Sequence, residues 1–428
     1  MLKTKSALTA LTTGFMAVTA LSSAAMAQST TLTMLVDNAS HTIAISEALV
    51  EAYEANNPDV NIEIETRPGG GEGDNIVKTR LATGQMTDIF WYNSGSLLQA
   101  LAPQQTLVDL SDEPFMDRVM DSFKQVVSAG EGVYGVPTRP AEAGGIFYNR
   151  TIYEELGLEV PQTWDEFMAN NEAIKAAGIP AVIQTYGEPW TSQVLLLADY
   201  YNVQNAVPDF AEQYTANQAK FASTPAALRG FEYLKEVHEG GYMNEDVGAA
   251  RYEDGLRMLA EGEGAHYPMI TFAIPALSEG YPDQIEDVGF FALPAAEAED
   301  TGLTVWMPAG FYIPQTSSNI DAAKQFLDFV ASPEGCQVQS EAVAVNGPYL
   351  IEGCELPDDV VAPVQDLLPY FENGNNAPAL EFLSPIKGPI LEQLTVEVGS
   401  GFREPADAAA LYDEDVRKQA QQLGLDGW

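Results

Sequence analysis

The sequence predicts an α/β protein of two lobes, each a mainly parallel sheet flanked by helices. Three observations lead to this fold class. Strand and helix patterns alternate near the N-terminus, which is typical of a parallel sheet with right-handed crossovers. The chain of 428 residues is longer than one hydrophobic core supports. Two apolar strands end in proline, at Pro137 and Pro294, and proline marks points where a chain leaves a sheet.

The first lobe opens with an apolar strand at residues 32–36, followed by a helix around residues 43–56 with apolar side chains at i, i+4 spacing. Alternating apolar residues predict a second strand at residues 60–64. A glycine-rich turn at residues 69–73 leads into another helix, and residues 88–92 form a third strand. The order strand, helix, strand, helix, strand predicts a parallel sheet.

A crossing to the second lobe follows the strand that ends at Pro137. After a flexible Gly144-Gly145 pair, a new strand ends at Asn149. Thr163 and Glu166 then have the spacing of a capping box, which predicts a helix start. Trp164, directly after that cap, is interpreted as structural rather than as a binding residue.

The later chain is mainly helical, and residues 288–294 are interpreted as a strand that makes the second crossing. Helices are predicted at residues 163–177, 191–201, 224–239, 319–331 and 404–423, with a strand at 310–314. The predicted first lobe comprises residues 28–138 and 294–350. The predicted second lobe comprises residues 139–293 and 351–428.

Residues 1–27 have the pattern of an export signal. Lys3 and Lys5 precede an apolar core, and the sequence Ala-Met-Ala ends at Ala27 as a small-x-small cleavage site. The apolar run is short for a membrane anchor, which needs about 20 residues. We therefore predict cleavage after Ala27, and because no cysteine is near that site, a free periplasmic protein rather than a lipoprotein.

The formal charge of −42 argues against nucleic acid or an anionic membrane surface as partner. A cationic ligand such as a polyamine is one interpretation of the acidity, and a solvated acidic surface is the other. Cys336 and Cys354 are predicted to form a disulfide in an oxidising compartment, the alternative being buried free thiols. Two cysteines and three scattered histidines predict no metal site.

Catalytic and cofactor motifs are missing from the sequence. It contains no Gly-x-Ser-x-Gly elbow, no His-Glu-x-x-His and no P-loop. We therefore expect no catalytic residues, no cofactor and no enzymatic activity. Plentiful carboxylates keep a secreted glycan-active enzyme as an alternative. Adjacent Tyr200 and Tyr201 suggest ferric ion capture as another alternative function, although their predicted helical position favours a role in packing.

Aromatic residues occur at strand ends and loops, where ligands of open α/β sheets bind. Trp91, Trp190 and Trp306 are placed in this way. Aromatic rings beside acid and amide groups suit a sugar, because a ring can cover its C–H face while polar groups bind its hydroxyls. Core packing is the competing interpretation for each tryptophan.

An ordered set of short segments resembles the periplasmic solute-binding proteins of ABC importers, in the carbohydrate branch (family 1, maltose-binding-protein-like). The set includes Tyr-Gly-Val-Pro at 134–137, Gly-Gly-Ile-Phe-Tyr-Asn at 144–149 and Pro-Gln-Thr-Trp-Asp-Glu-Phe at 161–167. Two further pieces lie at residues 87–97 and 322–334.

The resemblance implies the type II periplasmic-binding-protein fold, a hinge that closes on a sugar, and docking on an inner-membrane ABC permease. We also expect a monomer that does not insert into the membrane. Positions that match the family's usual sugar contacts are His41, Glu72, Asn93, Ser94, Arg139, Trp190 and Trp306. Arg139 replaces a frequent aromatic residue, and it either contacts an anionic or highly hydroxylated ligand or pairs with Glu142.

Overall fold

The computed structural model describes residues 30–428, and the predicted signal peptide with its cleavage site lies outside them. Within that range two five-stranded sheets and a two-stranded ribbon carry the fold. The strands in chain order are β1 Thr30–Asp37, β2 Val60–Arg67, β3 Ile89–Tyr92, β4 Ser128–Ala129, β5 Gly132–Val133, β6 Gly135–Pro137, β7 Glu142–Asn149, β8 His266–Ile270, β9 Val288–Phe291, β10 Leu303–Trp306, β11 Gly310–Tyr312 and β12 Asn376–Pro378.

Helices cover both sheets and fill most of the later chain. They are α1 Ser40–Asn56, α2 Gly70–Thr83, α3 Gly95–Gln99, α4 Pro103–Thr106, α5 Asp121–Val126, α6 Arg150–Leu156, α7 Trp164–Ala176, α8 Val194–Leu197, α9 Tyr200–Ala206, α10 Phe210–Thr215, α11 Pro225–Glu239, α12 Tyr252–Ala260, α13 Ala273–Gly280, α14 Ile320–Val330, α15 Pro333–Ala342, α16 Ala362–Glu372, α17 Leu380–Leu383, α18 Leu391–Gly399 and α19 Pro405–Gln422. Short 3₁₀ turns lie at Pro114–Arg118, Pro189–Gln193, Ile285–Asp287 and Ala298–Asp300.

The first lobe is built on a sheet of strand order β2-β1-β3-β11-β6. Strand β1 is parallel to β2 and β3, whereas β11 is antiparallel to both of its neighbours. Leu32, Met34, Leu35 and Val36 of β1 are fully buried because helices α1 and α14 pack against this strand. The predicted order of the first three strands and two helices is confirmed.

The second lobe is built on a sheet of order β12-β10-β7-β8, with β9 also paired to β7. Strand β7 is buried along its whole length. Gly144 and Gly145 lie inside β7, and their role is close packing rather than flexibility. A Cβ on Gly144 would lie 2.3 Å from the Trp306 ring, and one on Gly145 would lie 2.4 Å from the Phe291 carbonyl oxygen.

The strand pairing shows that the chain passes between the lobes three times, the last time between β11 of the first sheet and β12, which pairs with β10 in the second. The first lies between β6, which ends at Pro137, and β7. The second comes later than the predicted return at residue 294. Strand β9 pairs with β7, and β10 pairs with β7 and β12, so the chain stays in the second sheet through Trp306. It rejoins the first sheet at Gly310, and the other lobe boundaries remain predictions.

Helix α7 begins with the predicted capping box. The Thr163 side chain accepts a hydrogen bond from the Glu166 N–H, and the Glu166 carboxylate accepts one from the Thr163 N–H. Trp164 is buried and stacks on Tyr233 with centroids 3.8 Å apart, as expected of a structural residue. The helix predicted at residues 191–201 is instead a 3₁₀ turn followed by α8 and the start of α9.

Each lobe has its own apolar core, and the two lobes touch. One core surrounds the first sheet and two surround the second. Helix α1 contacts α13, and α3 contacts α17, across the lobe boundary. A disulfide joins Cys336 of α15 to Cys354, with Cα atoms 6.1 Å apart. Among residues 30–428, every helix is too short or too polar to cross a bilayer.

Candidate ligand-binding cleft

The first wall of the cleft is formed by the carboxyl ends of β1, β2 and β3. Asp37 and Arg67 end β1 and β2 and lie opposite each other in the strand register. Trp91 and Tyr92 end β3. All four side chains are buried. Because ligands of open α/β sheets bind outside the carboxyl ends of the strands, these residues form one wall of a candidate site.

Arg67 is held at one nitrogen and has no hydrogen-bond partner at the other two. Its Nη1 donates to the Pro68 carbonyl at 2.9 Å, whereas Nε and Nη2 are buried without a partner. The guanidinium carbon lies 5.5 Å from the centroid of the Trp91 ring. The buried Tyr92 hydroxyl lies near the Asp74 carboxylate, and burial, with a smaller contribution from Asp74, raises the pKa of Tyr92. Since an unpaired buried polar group costs about 1–3 kcal/mol, this wall gains from a ligand that supplies oxygen atoms.

Arg139 lies on the first crossing and is paired with Glu142, the first residue of β7. The Arg139 Nε is 2.7 Å from Glu142 Oε1, which also accepts from the Asn346 amide at 3.3 Å. The Arg139 guanidinium carbon is 5.9 Å from the Trp91 ring centroid. Burial raises the pKa of Glu142, and Arg139 opposes that rise. Of the two roles that the sequence left open for Arg139, pairing with Glu142 is the one observed.

Three aromatic rings of the second lobe form the opposite wall. The Trp190 centroid lies 5.5 Å from that of Tyr252 and 5.8 Å from that of Phe272, and the latter two are 5.6 Å apart. All three residues are half-buried, although the Tyr252 hydroxyl itself is buried. Adjacent rings of this kind provide an apolar surface for the C–H face of a sugar.

His41 reaches this aromatic wall from the first lobe. Its ring centroid lies 6.2 Å from that of Phe272. Burial, with a smaller contribution from Arg139, lowers the pKa of His41 to about 3. The imidazole is therefore neutral near pH 7 and offers one donor and one acceptor nitrogen.

Trp306 lies where β10 ends, beside the first crossing. It stands opposite Glu142 in the strand register. Its indole N–H donates to Glu381 at 2.7 Å, and Lys387 donates to the other Glu381 oxygen at 2.6 Å. Burial raises the pKa of Asp74 in the first lobe, while Arg67 and, to a smaller extent, Lys387 oppose the rise. A Cβ on Gly95 of the first lobe would lie 2.6 Å from the Glu381 carbonyl oxygen, so the Trp306 cluster borders the first lobe.

The other predicted contact residues have different surroundings. Glu72 is exposed on α2 in an open depression, and no contact joins it to the cleft residues described above. The half-buried Asn93 accepts a hydrogen bond from the Tyr312 hydroxyl at its carbonyl, at 3.3 Å. The buried Ser94 donates to the Pro308 carbonyl at 3.1 Å. The structure thus brings together His41, Arg139, Trp190 and Trp306.

Several cleft residues lie outside the set predicted from sequence. Asp37 directly follows the first predicted strand, so the rule that ligands bind at strand ends would have found it. Arg67 lies three residues beyond the predicted second strand and became a strand end only because β2 is longer than predicted. Asp74 lies in the same turn as Glu72 but is half-buried near Arg67. Tyr252 and Phe272 stand at the starts of α12 and α13, and no local pattern sets them apart from core aromatic residues.

Comparison with known proteins gives a family and a fold. The model of the bacterial extracellular solute-binding protein family matches residues 38–335. The multiple sugar-binding protein of Streptococcus mutans is 24% identical over 310 residues, which cover 70% of this chain and 71% of that protein. The melibiose/raffinose/stachyose-binding protein MelE of Bacillus subtilis is 22% identical over 310 residues, covering 69% of each chain.

Solved structures share the whole architecture. A chitin oligosaccharide binding protein superposes with a TM-score of 0.79 at 22% identity, covering 92% of this chain and 100% of that one. The RafE binding protein in complex with raffinose has a TM-score of 0.75 at 22% identity, with 92% and 99% covered. The predicted two-lobed type II fold is confirmed. The chain belongs to the bacterial extracellular solute-binding protein family, as its ordered sequence segments indicated.

Proposed function

We propose that this protein is the substrate-binding receptor of an ABC importer and that it captures a sugar between its two lobes. The sugar is a mono-, di- or short oligosaccharide or a glycoside. The proposal depends on the different chemistry of the two cleft walls, which is polar on the first lobe and aromatic on the second. The rings of Trp190, Tyr252 and Phe272 suit the C–H face of a sugar, and Arg67 and Asp37 opposite them suit its hydroxyls.

The names of the relatives support a sugar over a cationic solute. The two sequence relatives described above are named for sugars, and the two solved structures for a chitin oligosaccharide and for raffinose. Within the cleft, Arg139 is paired with Glu142 and Lys387 with Glu381, and Arg67 lies opposite Asp37. Each of these carboxylates already faces a cation of the protein, so they do not form the unpaired acidic cluster that would favour a polyamine.

The remaining parts of the proposal concern location and partners. We expect export to the periplasm with cleavage after Ala27, a monomeric protein, and delivery of the sugar to inner-membrane permease subunits. The family whose model matches this chain is one of extracellular solute-binding proteins, which supports export. Binding without chemical conversion is the expected activity, in line with the solute-binding family.

A thermal-shift panel tests the proposal. Glucose, galactose, xylose, melibiose, raffinose and chitobiose are compared with spermidine and putrescine at matched ionic strength. A ligand that binds the folded state raises the melting temperature with ln(1 + [L]/Kd). We expect a concentration-dependent shift with at least one sugar and none with either polyamine. A shift with polyamines alone, or release of product from a labelled glycan, would replace the sugar-receptor assignment.

Two tryptophan variants locate the site. Trp190→Ala removes part of the aromatic wall, and we expect at least a tenfold loss of sugar affinity, about 1.4 kcal/mol. Trp428→Ala is the matched control, because Trp428 is also half-buried but lies against Tyr214 and Thr215. Equal losses in both variants, measured by isothermal titration calorimetry, would place the sugar elsewhere.

A further inference from the structure

The aromatic wall of the cleft is assembled from three segments that are far apart in the sequence. Trp190 lies in the 3₁₀ turn Pro189–Gln193, Tyr252 is the first residue of α12, and Phe272 comes directly before α13. The three ring centroids are 5.5, 5.8 and 5.6 Å apart, so they form a nearly equilateral triangle. Because the rings come from separate segments, their spacing depends on how those segments are joined.

Glu188 joins the turn that carries Trp190 to the start of α12. Its Oε2 accepts a hydrogen bond from the Tyr252 N–H at 2.7 Å, and its Oε1 accepts one from the Arg251 guanidinium at 3.1 Å. The Glu188 carbonyl accepts from the Thr191 N–H at 3.1 Å and from the Thr191 hydroxyl at 2.9 Å, within the turn. One residue therefore contacts both the turn that carries the first ring and the residue that carries the second.

The start of α12 gives the Glu188 carboxylate a physical reason to bind there. The first N–H groups of an α-helix have no acceptor within the helix, and a negative charge is favourable at that end. Glu188 supplies such an acceptor from a different segment of the chain. A backbone hydrogen bond from Gly187 to Ala250, at 2.9 Å, also aligns the two segments. The Glu188 carboxylate extends that alignment to Tyr252 itself.

We propose that Glu188 is a positioning residue of the sugar site, which holds Trp190 and Tyr252 together as one surface. The proposal rests on the sugar-receptor function and adds a residue that acts through the rings, because both of its carboxylate oxygens bind donors of the protein. Residues of a binding site are effective only when their neighbours hold them in the productive geometry. Loss of the Glu188 hydrogen bond should therefore weaken sugar binding although every ring remains.

Isothermal titration calorimetry with glucose, galactose, xylose, melibiose, raffinose and chitobiose tests this role. For each sugar that binds the parent protein, Glu188→Ala is expected to lower the affinity by about fivefold or more. Glu188→Gln keeps an acceptor oxygen for the Tyr252 N–H and should stay within about twofold of the parent. Arg251→Ala should also have little effect, because it removes only an ion pair of a side chain that is 67% exposed.

A helix cap in the other lobe provides the control for stability. Ser332 caps α15 by accepting a hydrogen bond from the Gly335 N–H at 3.1 Å. Ser332→Ala and Glu188→Ala each remove an acceptor from a helix start, so both should lower the urea midpoint. Only Glu188→Ala should weaken sugar binding, which distinguishes a positioning role from a general loss of stability.

Tryptophan fluorescence reports on the rings without any sugar. The acrylamide quenching of Trp190 is obtained as the difference between the parent and Trp190→Ala. Glu188→Ala is expected to increase the quenching of Trp190, because the indole loses its fixed contact with Tyr252. In the Trp190→Ala background, Glu188→Ala should leave the remaining emission unchanged.

The outcomes separate this role from the proposed function. If sugars bind and Glu188→Ala keeps the parent affinity, or Glu188→Gln loses as much as Glu188→Ala, the positioning role is refuted and the sugar receptor stands. The role is also refuted if Glu188→Ala leaves the quenching of Trp190 unchanged. If no sugar binds the parent protein, the sugar-receptor proposal fails, and the quenching alone decides whether Glu188 positions the rings.

Discussion

A buried aspartate in the second lobe is expected to make stability fall as pH rises. Asp199 is 2% exposed, and burial raises its pKa from 3.8 to about 8, although the Asn202 amide, which donates at 2.8 Å, and Arg229 oppose the rise. The folded protein therefore holds a proton that the unfolded chain releases above pH 3.8. The contribution to stability is fully present below pH 3.8 and is lost as the pH rises to about 8.

The cost at pH 7 follows from this difference. A pH of 7 lies about three units above the ordinary pKa of an aspartate, and each unit corresponds to about 1.36 kcal/mol. The buried Asp199 therefore lowers the free energy of unfolding at pH 7 by about 4 kcal/mol relative to low pH. Asp199→Asn keeps the side-chain shape without an ionisable group. We expect the variant to be about 2–4 kcal/mol more stable than the parent at pH 7, and equal to it within about 1 kcal/mol at pH 4.

Urea unfolding of parent and variant from pH 4 to pH 8 measures this difference. Asp59→Asn is the control, because Asp59 is exposed. His41 and His266, whose pKa burial lowers to about 3, are present in every variant and cancel in the comparison. A stability difference that stays constant from pH 4 to pH 8, or that shrinks as pH rises, would refute the buried, protonated state of Asp199.

Three further predictions concern stability. Reduction of the Cys336–Cys354 disulfide, which closes a loop of 18 residues, is expected to cost about 3 kcal/mol, and an unchanged urea midpoint in dithiothreitol would contradict this. Trp164→Ala should cost about 3–5 kcal/mol by urea unfolding because the ring is buried and stacked, and a loss below 1 kcal/mol would show that it does not pack as described. Arg139→Leu should lower the free energy of unfolding by about 3–5 kcal/mol, because it leaves Glu142 without its ion-pair partner. The double variant Arg139→Leu/Glu142→Leu should recover most of this loss, and additive losses in the double-mutant cycle would exclude the pairing.

The fold was largely predictable because its signals are local. The first strands and helices were predicted from apolar spacing, and the capping box at Thr163 from two residues. The position of the second crossing could not be predicted in this way, because a proline ends a strand whether or not the chain then changes lobe. Strand β9 ends shortly before Pro294, yet β10 pairs again with the second sheet. Only the hydrogen-bonded register distinguishes a strand that ends within one lobe from a strand after which the chain changes lobe.

The sequence by itself determined the family and the two-lobed architecture, whereas its ligand contacts, among them Trp190 and Arg139, stay predictions. These follow from periodicity, turn residues and ordered motifs that short stretches of chain contain. The tertiary structure decided which residues meet. It places Tyr252 and Phe272 beside Trp190, leaves Glu72 exposed in an open depression and joins Arg139 to Glu142. Such contacts depend on the packing of distant segments, since the position of a side chain across a cleft is set by both walls.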